Sequence, residues 1–389
     1  MKRISILLLT ASSLAVPACT SDATQPGGGG DDGTGPGSGS GSQDEWQTQL
    51  NSRVTDYNAA LRIASLRLTG DLPTVTEINQ IAKAPDDASK KTAYETIVRD
   101  YIGRPAFAKQ MFAFWQDTFK IGGTPAFDTA PAFAAKLSVE NGSYMDLFTK
   151  SANNCPTFAN GVFADVECTN GGPKAGVLTN PGVMASFTSN LAFRRVRWIQ
   201  ETFDCVRFPA ELGGTPQDVG GASLYTGQWP FTSIASPTNG GGRVNFQDAS
   251  SAMCAHCHQT LNHIAPLFGN YDATGAYKTT IQVTVPLPGA PVAQLNDWLP
   301  PGDTTAWRYQ KSAMDIPGLG AAMAADPEIA KCGVARIWNW ALGKTDIVDT
   351  LQEVPTETIQ SQIDAFTQNG FKMKDLIFAV FTSSDFVAF

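Results

Sequence analysis

The sequence predicts a mainly α-helical protein, and three observations carry that reading. Apolar residues recur at three- and four-residue spacing in separate runs, as in Leu50, Val54, Tyr57, Leu61, Ile63 and Leu66. The runs open on Pro or on capping residues and close on Gly, the punctuation that the orphan amides and carbonyls of helix ends call for. No fixed internal period is present, which argues against a repeat array. With 389 residues, 42% hydrophobic and only 16% charged, the chain is long enough for two or three domains and apolar enough for a core. Its 36 Gly and 24 Pro exclude one long coiled coil.

Taken in order, residues 1–18 read as a lipoprotein signal peptide. Lys2 and Arg3 precede an apolar run from Ile4 to Val16 that is too short to span a bilayer. The run ends in Val16-Pro17-Ala18-Cys19, which resembles a bacterial lipobox although Pro17 is unusual there. Small residues let a signal peptidase grip extended backbone, and Cys19 is the expected lipidation site. An ordinary signal peptide with an incidental Cys is the alternative. Residues 19–44 form a Gly/Ser-rich tether that can bury nothing and behaves as a flexible coil. Thr20 rather than Asp after Cys19 resembles the sorting pattern for the outer membrane. The expected location is therefore the cell envelope, with the membrane reached through a lipid anchor.

Residues 45–150 are expected to form an N-terminal helical domain. Within it Thr74 and Glu77 have the spacing of a capping box, and Tyr94, Ile97, Val98 and Tyr101 make one helix face. Pro105 opens a helix through Phe112 and Trp115 to Phe119, closed by Gly122-Gly123. Residues 151–245 form a loop-rich middle segment, within a loop-rich stretch that begins near 120. One helix is expected from Phe187 to Phe208, with Arg194, Arg195 and Arg197 on its polar side. Residues 246–317 form the module discussed next, and 318–389 a C-terminal helical module. In that last part Asp326-Pro327 opens a helix ending at Leu342 before Gly343. A second spans Thr356 to Asn369 with Gly370 just beyond, and a third runs from Met373 to Phe381.

The chemistry lies in Cys254-Ala255-His256-Cys257-His258, a C-x-x-C-H motif of the kind that attaches c-type haem. Two Cys three apart on one helical turn face the same way, so Cys254 and Cys257 can add to the two haem vinyls. His258 then lies beneath the iron as the proximal ligand. Asp248 and Ser250 are candidate caps for that helix. A redox or disulfide pair and a zinc site are the alternatives. Zinc would need two more ligands, and the remaining imidazoles, His256 and His263, are too close in sequence to complete a tetrahedron. Export favours haem, because attachment occurs outside the cytoplasm. The distal iron ligand is open: Met314, Met323 and His263 are candidates, as is no protein ligand at all. Met314 sits in the loop-like Ser312-Ala313-Met314-Asp315-Ile316-Pro317.

The run from Cys254 to Lys278 resembles the haem module of the planctomycete-type cytochrome c family, exported haem-c proteins built from domains of unknown function. Asn270-Tyr271-Asp272, Gly275 and Tyr277-Lys278 fit that pattern without a gap; Asn262 and His263 depart from it. Arg67 to Thr74 with Phe107 to Trp115 is similar to the family's N-terminal helical domain. Gly176 to Pro181 with Arg195 to Phe203 resembles the segment before its haem motif. Trp340 to Lys344, Asn369-Gly370 and Thr382 to Phe386 resemble its C-terminal module. The resemblance implies a cytochrome c-like haem module and one covalent haem c. It implies no settled activity.

Four cysteines remain beside Cys19, Cys254 and Cys257. In an exported chain they suggest two disulfides. Local loop closure favours Cys155–Cys168, which leaves Cys205–Cys332; free buried thiols are the alternative. Arg194, Arg195 and Arg197 could neutralise haem propionates or form a solvated face. The net charge is −8, and about −10 without Lys2 and Arg3, so the basic footprint of a nucleic-acid binder is missing. Three His exclude a multi-His metal cage. The expected function is a membrane-tethered monohaem c-type cytochrome that passes electrons to a redox partner protein. A haem oxidoreductase with an open distal site, or an envelope binding module with structural haem, are the alternatives.

Overall fold

In a computed structural model the described residues are Thr48, 51–189, 192–206, 260–280, 282, 304–308, 311–344 and 354–389. The chain divides into two units, Met1–Ser52 and Arg53–Phe389. In the first, Thr48, Asn51 and Ser52 have helical backbone. The second is mostly helical, with two short hairpins.

Helix α1 (Tyr57–Thr69) starts where the Asp56 carboxylate accepts from the amides of Asn58 and Ala59, and it stops at Gly70, which is left-handed at φ 80°. The apolar run beginning at Leu50 therefore does not continue as one helix. Asp56 resets it, and Val54 instead exchanges backbone hydrogen bonds with Phe389. The expected capping box holds α2 (Val75–Ala82): Thr74 Oγ1 accepts from Glu77 N, and Glu77 Oε2 accepts from Thr74 N at 2.6 Å. Helix α3 is Asp87–Tyr101 and α4 is Pro105–Phe119. The α4 terminus is not made by Gly122-Gly123. Lys120 takes the left-handed cap, φ 54°, two residues earlier.

The stretch read as loop-rich from residue 120 contains helix α5 (Pro125–Val139), packed along α4. Pro131 sits inside α5, and a mid-helix proline argues against a helix by removing one ladder bond. Packing overrides it: Ala130, Ala132, Phe133, Ala134, Ala135 and Leu137 are all buried. The short α6 (Asp146–Thr149), a hairpin of β1 (Thr157–Ala159) and β2 (Val162–Ala164), a 3-10 turn (Gly176–Thr179) and α7 (Pro181–Ser186) follow. The helix expected from Phe187 to Phe208 is shorter. Helix α8 covers Phe193–Ile199 and passes into a π-helical turn, Gln200–Asp204, that ends at left-handed Cys205.

Past the C-x-x-C-H motif, 260–264 are helical and Ala265–Phe268 form a 3-10 turn. A second hairpin pairs β3 (Ala306–Trp307) with β4 (Lys311–Ser312) ahead of α9 (Ile316–Ala324). Helix α10 (Pro327–Ala341) has Asp326 as N-cap and Gly343 at φ 69° beyond its end, as the sequence predicts. The α11 helix (Thr356–Gln368) likewise has Gly370 at φ 66°; α12 (Met373–Phe381) and α13 (Ser384–Val387) close the chain.

One apolar cluster draws on every described stretch of this unit beyond Ala60. Its aromatic spine runs from Trp198 through Phe203 and Phe148 to Tyr144, with near-perpendicular rings at Phe148–Phe203, 89°, and Tyr144–Phe148, 88°. The tips of Trp115 and Tyr94 inside it are satisfied: Trp115 Nε1 donates to Ser138 Oγ at 2.9 Å, and Tyr94 Oη donates to the Phe381 carbonyl at 2.6 Å.

Candidate functional site

The residues at the centre of the sequence reading, Cys254, Cys257 and His258, lie outside the described residues, as do Cys19 and the candidate caps Asp248 and Ser250. What the structure describes is the chain that precedes and follows the motif in sequence. Both expected disulfides are present. Cys155 joins Cys168 with Cα atoms 5.0 Å apart, and Cys205 joins Cys332 at 5.5 Å. The second ties Cys205, at the end of the π turn and 49 residues ahead of Cys254 in sequence, to α10. Four of the seven cysteines are thereby used, so Cys254 and Cys257 are the pair left for other chemistry besides Cys19. That donor set, two thiols three apart in sequence followed directly by the His258 imidazole, is the one covalent haem requires.

The segment after the motif is rigidly held. Leu261, Ile264, Ala265 and Phe268 are buried, and His263 is only 1% exposed; Thr260, Asn262 and His263 all engage neighbours. The Asn270–Lys278 stretch is a tight turn organised by Asp272. One Asp272 oxygen accepts from the amides of Thr274 and Ala276 and from the Thr274 hydroxyl, while the other faces Lys278 Nζ at 3.4 Å. The Thr274 hydroxyl bond is the first cause that holds the Asp272 carboxyl down to about 2. Gly275 has φ 80°, and a β-carbon there would overlap the Pro181 carbonyl oxygen. Asn170, far away in sequence, donates to the carbonyls of Gly275 and Thr179.

Arg195 departs most from the sequence reading. It is not on a polar face. It is 1% exposed, and its guanidinium donates to the Met184 carbonyl from two nitrogens and to the carbonyls of Phe268, Tyr271 and Asp272, at 2.7–3.2 Å. Burial lowers its pKa to about 10. With its donors on backbone, it clamps the post-motif turn onto α7 and has none left for a propionate. Three arginines within four residues mimic a solvated face. The signal against that reading was the apolar Val196, Trp198 and Ile199 around them, which leaves room for only part of the row outside.

Of the distal-ligand candidates, Met314 is 75% exposed in a bend after β4, where the Ser312 hydroxyl approaches its sulfur at 3.8 Å. Met323 is fully buried on α9 within the common core.

A buried charge cluster that the sequence did not signal joins the π turn to the C-terminal helices. Asp204 pairs with Arg308; Arg308 Nε lies 2.6 Å from Asp326 Oδ2, which also accepts from Trp307 Nε1 at 2.8 Å. Burial pushes Asp204 up to about 6 against the pull of Arg308, with the Asp326 carboxylate adding to the rise. Burial also presses upward on Asp326, but the Trp307 hydrogen bond, Arg308 and Lys311 outweigh it, and its carboxyl sits below the ordinary range. Arg336 secures the same turn by donating to the Glu201 and Thr202 carbonyls at 2.6 and 2.9 Å.

Among the described residues no three His, Cys, Asp or Glu converge to hold a metal ion, and no helix is long and apolar enough to cross a membrane. No family model, curated protein or solved structure matches the chain.

Proposed function

We propose that the protein is a monohaem c-type cytochrome, tethered by a lipid on Cys19 and carrying electrons in the cell envelope, of the planctomycete-type kind. The observation that carries the reading is the Cys254-Ala255-His256-Cys257-His258 motif, in a chain whose Cys155, Cys168, Cys205 and Cys332 are taken up in two other pairs. Cys254 and Cys257 would hold the porphyrin and His258 the proximal side of the iron. The group supplies a one-electron couple whose potential is set by its ligands and burial. The chain's own part is positioning. The Cys205–Cys332 bridge fixes the chain well ahead of the motif in sequence, and Arg195 holds the Phe268–Asp272 stretch that follows it.

The test is the optical spectrum of the exported protein in both redox states. An electron carrier gives a six-coordinate low-spin spectrum and reversible reduction. A high-spin spectrum that shifts with cyanide or carbon monoxide would replace this reading with that of an oxidoreductase. A haem with no reversible couple would leave a binding module.

A further inference from the structure

A cleft of about 410 Å³ lies where the end of α4 meets α8 and the π turn, with Lys120, Phe187, Arg194, Arg197, Trp198 and Glu201 on its wall. Its volume is in the range of small-molecule sites. Its charge runs against that of the molecule. The chain carries −8 overall, yet Arg336 also lines the cleft, so four cationic side chains face one carboxylate. Arg197 Nε is paired with Glu201 at 2.8 Å, and Lys120 meets Asp117 at 3.2 Å. The Arg194 side chain is exposed and has no hydrogen bond or ion pair among the described residues. An unpartnered guanidinium fork in a cationic cleft is a ready carboxylate receptor.

The apolar part of the wall is equally specific. Phe187 and Trp198 stack with centroids 5.2 Å apart and planes 22° from parallel. Trp198 is fixed by its Nε1 donating to the Phe119 carbonyl at 3.1 Å and by edge contacts from Phe119 and Phe203. Phe187 is half-buried and adds a planar surface beside the guanidinium. A bare inorganic anion would leave that surface unused, and a neutral ring would leave Arg194 unused.

We propose that this cleft is a binding site for a small aromatic acid, a single planar ring carrying a carboxylate. Arg194 takes the carboxylate, Lys120 and Arg336 add positive potential, and Phe187 with Trp198 takes the ring. The proposal is independent of the haem reading, because it uses only described residues at the ends of α4 and α7 and on α8 and α10.

Benzoate, benzamide and acetate titrated into the purified mature protein by calorimetry, with 4-fluorobenzoate followed by fluorine NMR, provide the test. Benzoate is expected to bind saturably at one site. Benzamide and acetate should each bind about tenfold or more weakly, since one lacks the charge and the other the ring. Arg194→Gln should weaken benzoate about tenfold or more while leaving the near-ultraviolet circular dichroism intact, because the side chain is exposed; Phe187→Leu should weaken benzoate more than acetate. Absence of saturation at millimolar benzoate, equal binding of acetate, or unchanged affinity in Arg194→Gln would overturn the proposal.

Discussion

At Arg195 burial and hydrogen bonding act together: a cation out of water is tolerated because each side of its fork meets a backbone carbonyl. Arg195→Met would leave the carbonyls of Met184, Phe268, Tyr271 and Asp272 short of a donor. The expected cost is about 3–5 kcal/mol, read as a lower urea midpoint. Arg195→Lys should recover only part, because a point charge cannot reach all four. Asp204 has the opposite character. Its folded pKa of about 6 lies above that of an unfolded aspartate, so the folded protein holds the extra proton between roughly pH 4 and 6. The contribution of Asp204 to stability is therefore greatest below that window and falls as pH rises through it, by at most about 3 kcal/mol. Asp204→Asn should flatten this slope in thermal melts taken from pH 4 to 7; an unaltered slope would assign it to other groups. The two methionines separate fold from ligation. Through packing alone Met323→Ala should cost about 2–5 kcal/mol and Met314→Ala less than about 0.5 kcal/mol. Loss of the far-red methionine–iron band in one of them would identify a distal ligand.

Elements whose ends are chemically marked were legible from the chain. Helix α2 has its Thr74–Glu77 box, α4 its Pro105, and α10 its Asp326-Pro327 start and Gly343 stop, all local signals that tertiary packing reinforces. Helix α5 was hidden by Pro131, whose local penalty is offset only by a burial partner, α4, that sequence periodicity does not reveal. The break before α8 and its π turn were hidden for the same reason. A π turn changes the face presented by Gln200–Asp204, so the polar residues of this stretch could not be assigned by 3.6-residue counting. Of the candidate site, the motif and both disulfide pairings were readable as spacing and loop length. The Arg195 contacts to the post-motif turn and the Asp204–Arg308 pair join residues 73 to 104 positions apart and leave no local trace. The Asn270–Lys278 turn offers an element-scale test. Gly275→Ala combines a left-handed backbone with overlap on Pro181 and should cost more than about 1 kcal/mol, whereas Thr274→Ala should cost about 1 kcal/mol through the lost hydroxyl bond. Equal costs in chemical denaturation would contradict the assigned role of Gly275.

Across the whole molecule, the disulfides divide the work by loop length. Cys155–Cys168 spans 13 residues and Cys205–Cys332 spans 127, so chain entropy assigns them about 3 and about 5 kcal/mol. The longer bridge connects the stretch before the motif to the C-terminal helices, which share the core with α1 to α5. Replacing Cys205 and Cys332 together by Ala should lower the melting temperature more than the same change at Cys155 and Cys168. With those four sulfurs committed, the account rests on Cys254 and Cys257 carrying a porphyrin. The most direct measurement is the intact mass and pyridine haemochrome spectrum of the mature protein exported from a host that attaches haem c, beside Cys257→Ala. One haem per chain and a colourless Cys257→Ala variant are expected. A colourless parent protein, with Cys254 and Cys257 recovered as free thiols or bridged to each other, would contradict that expectation.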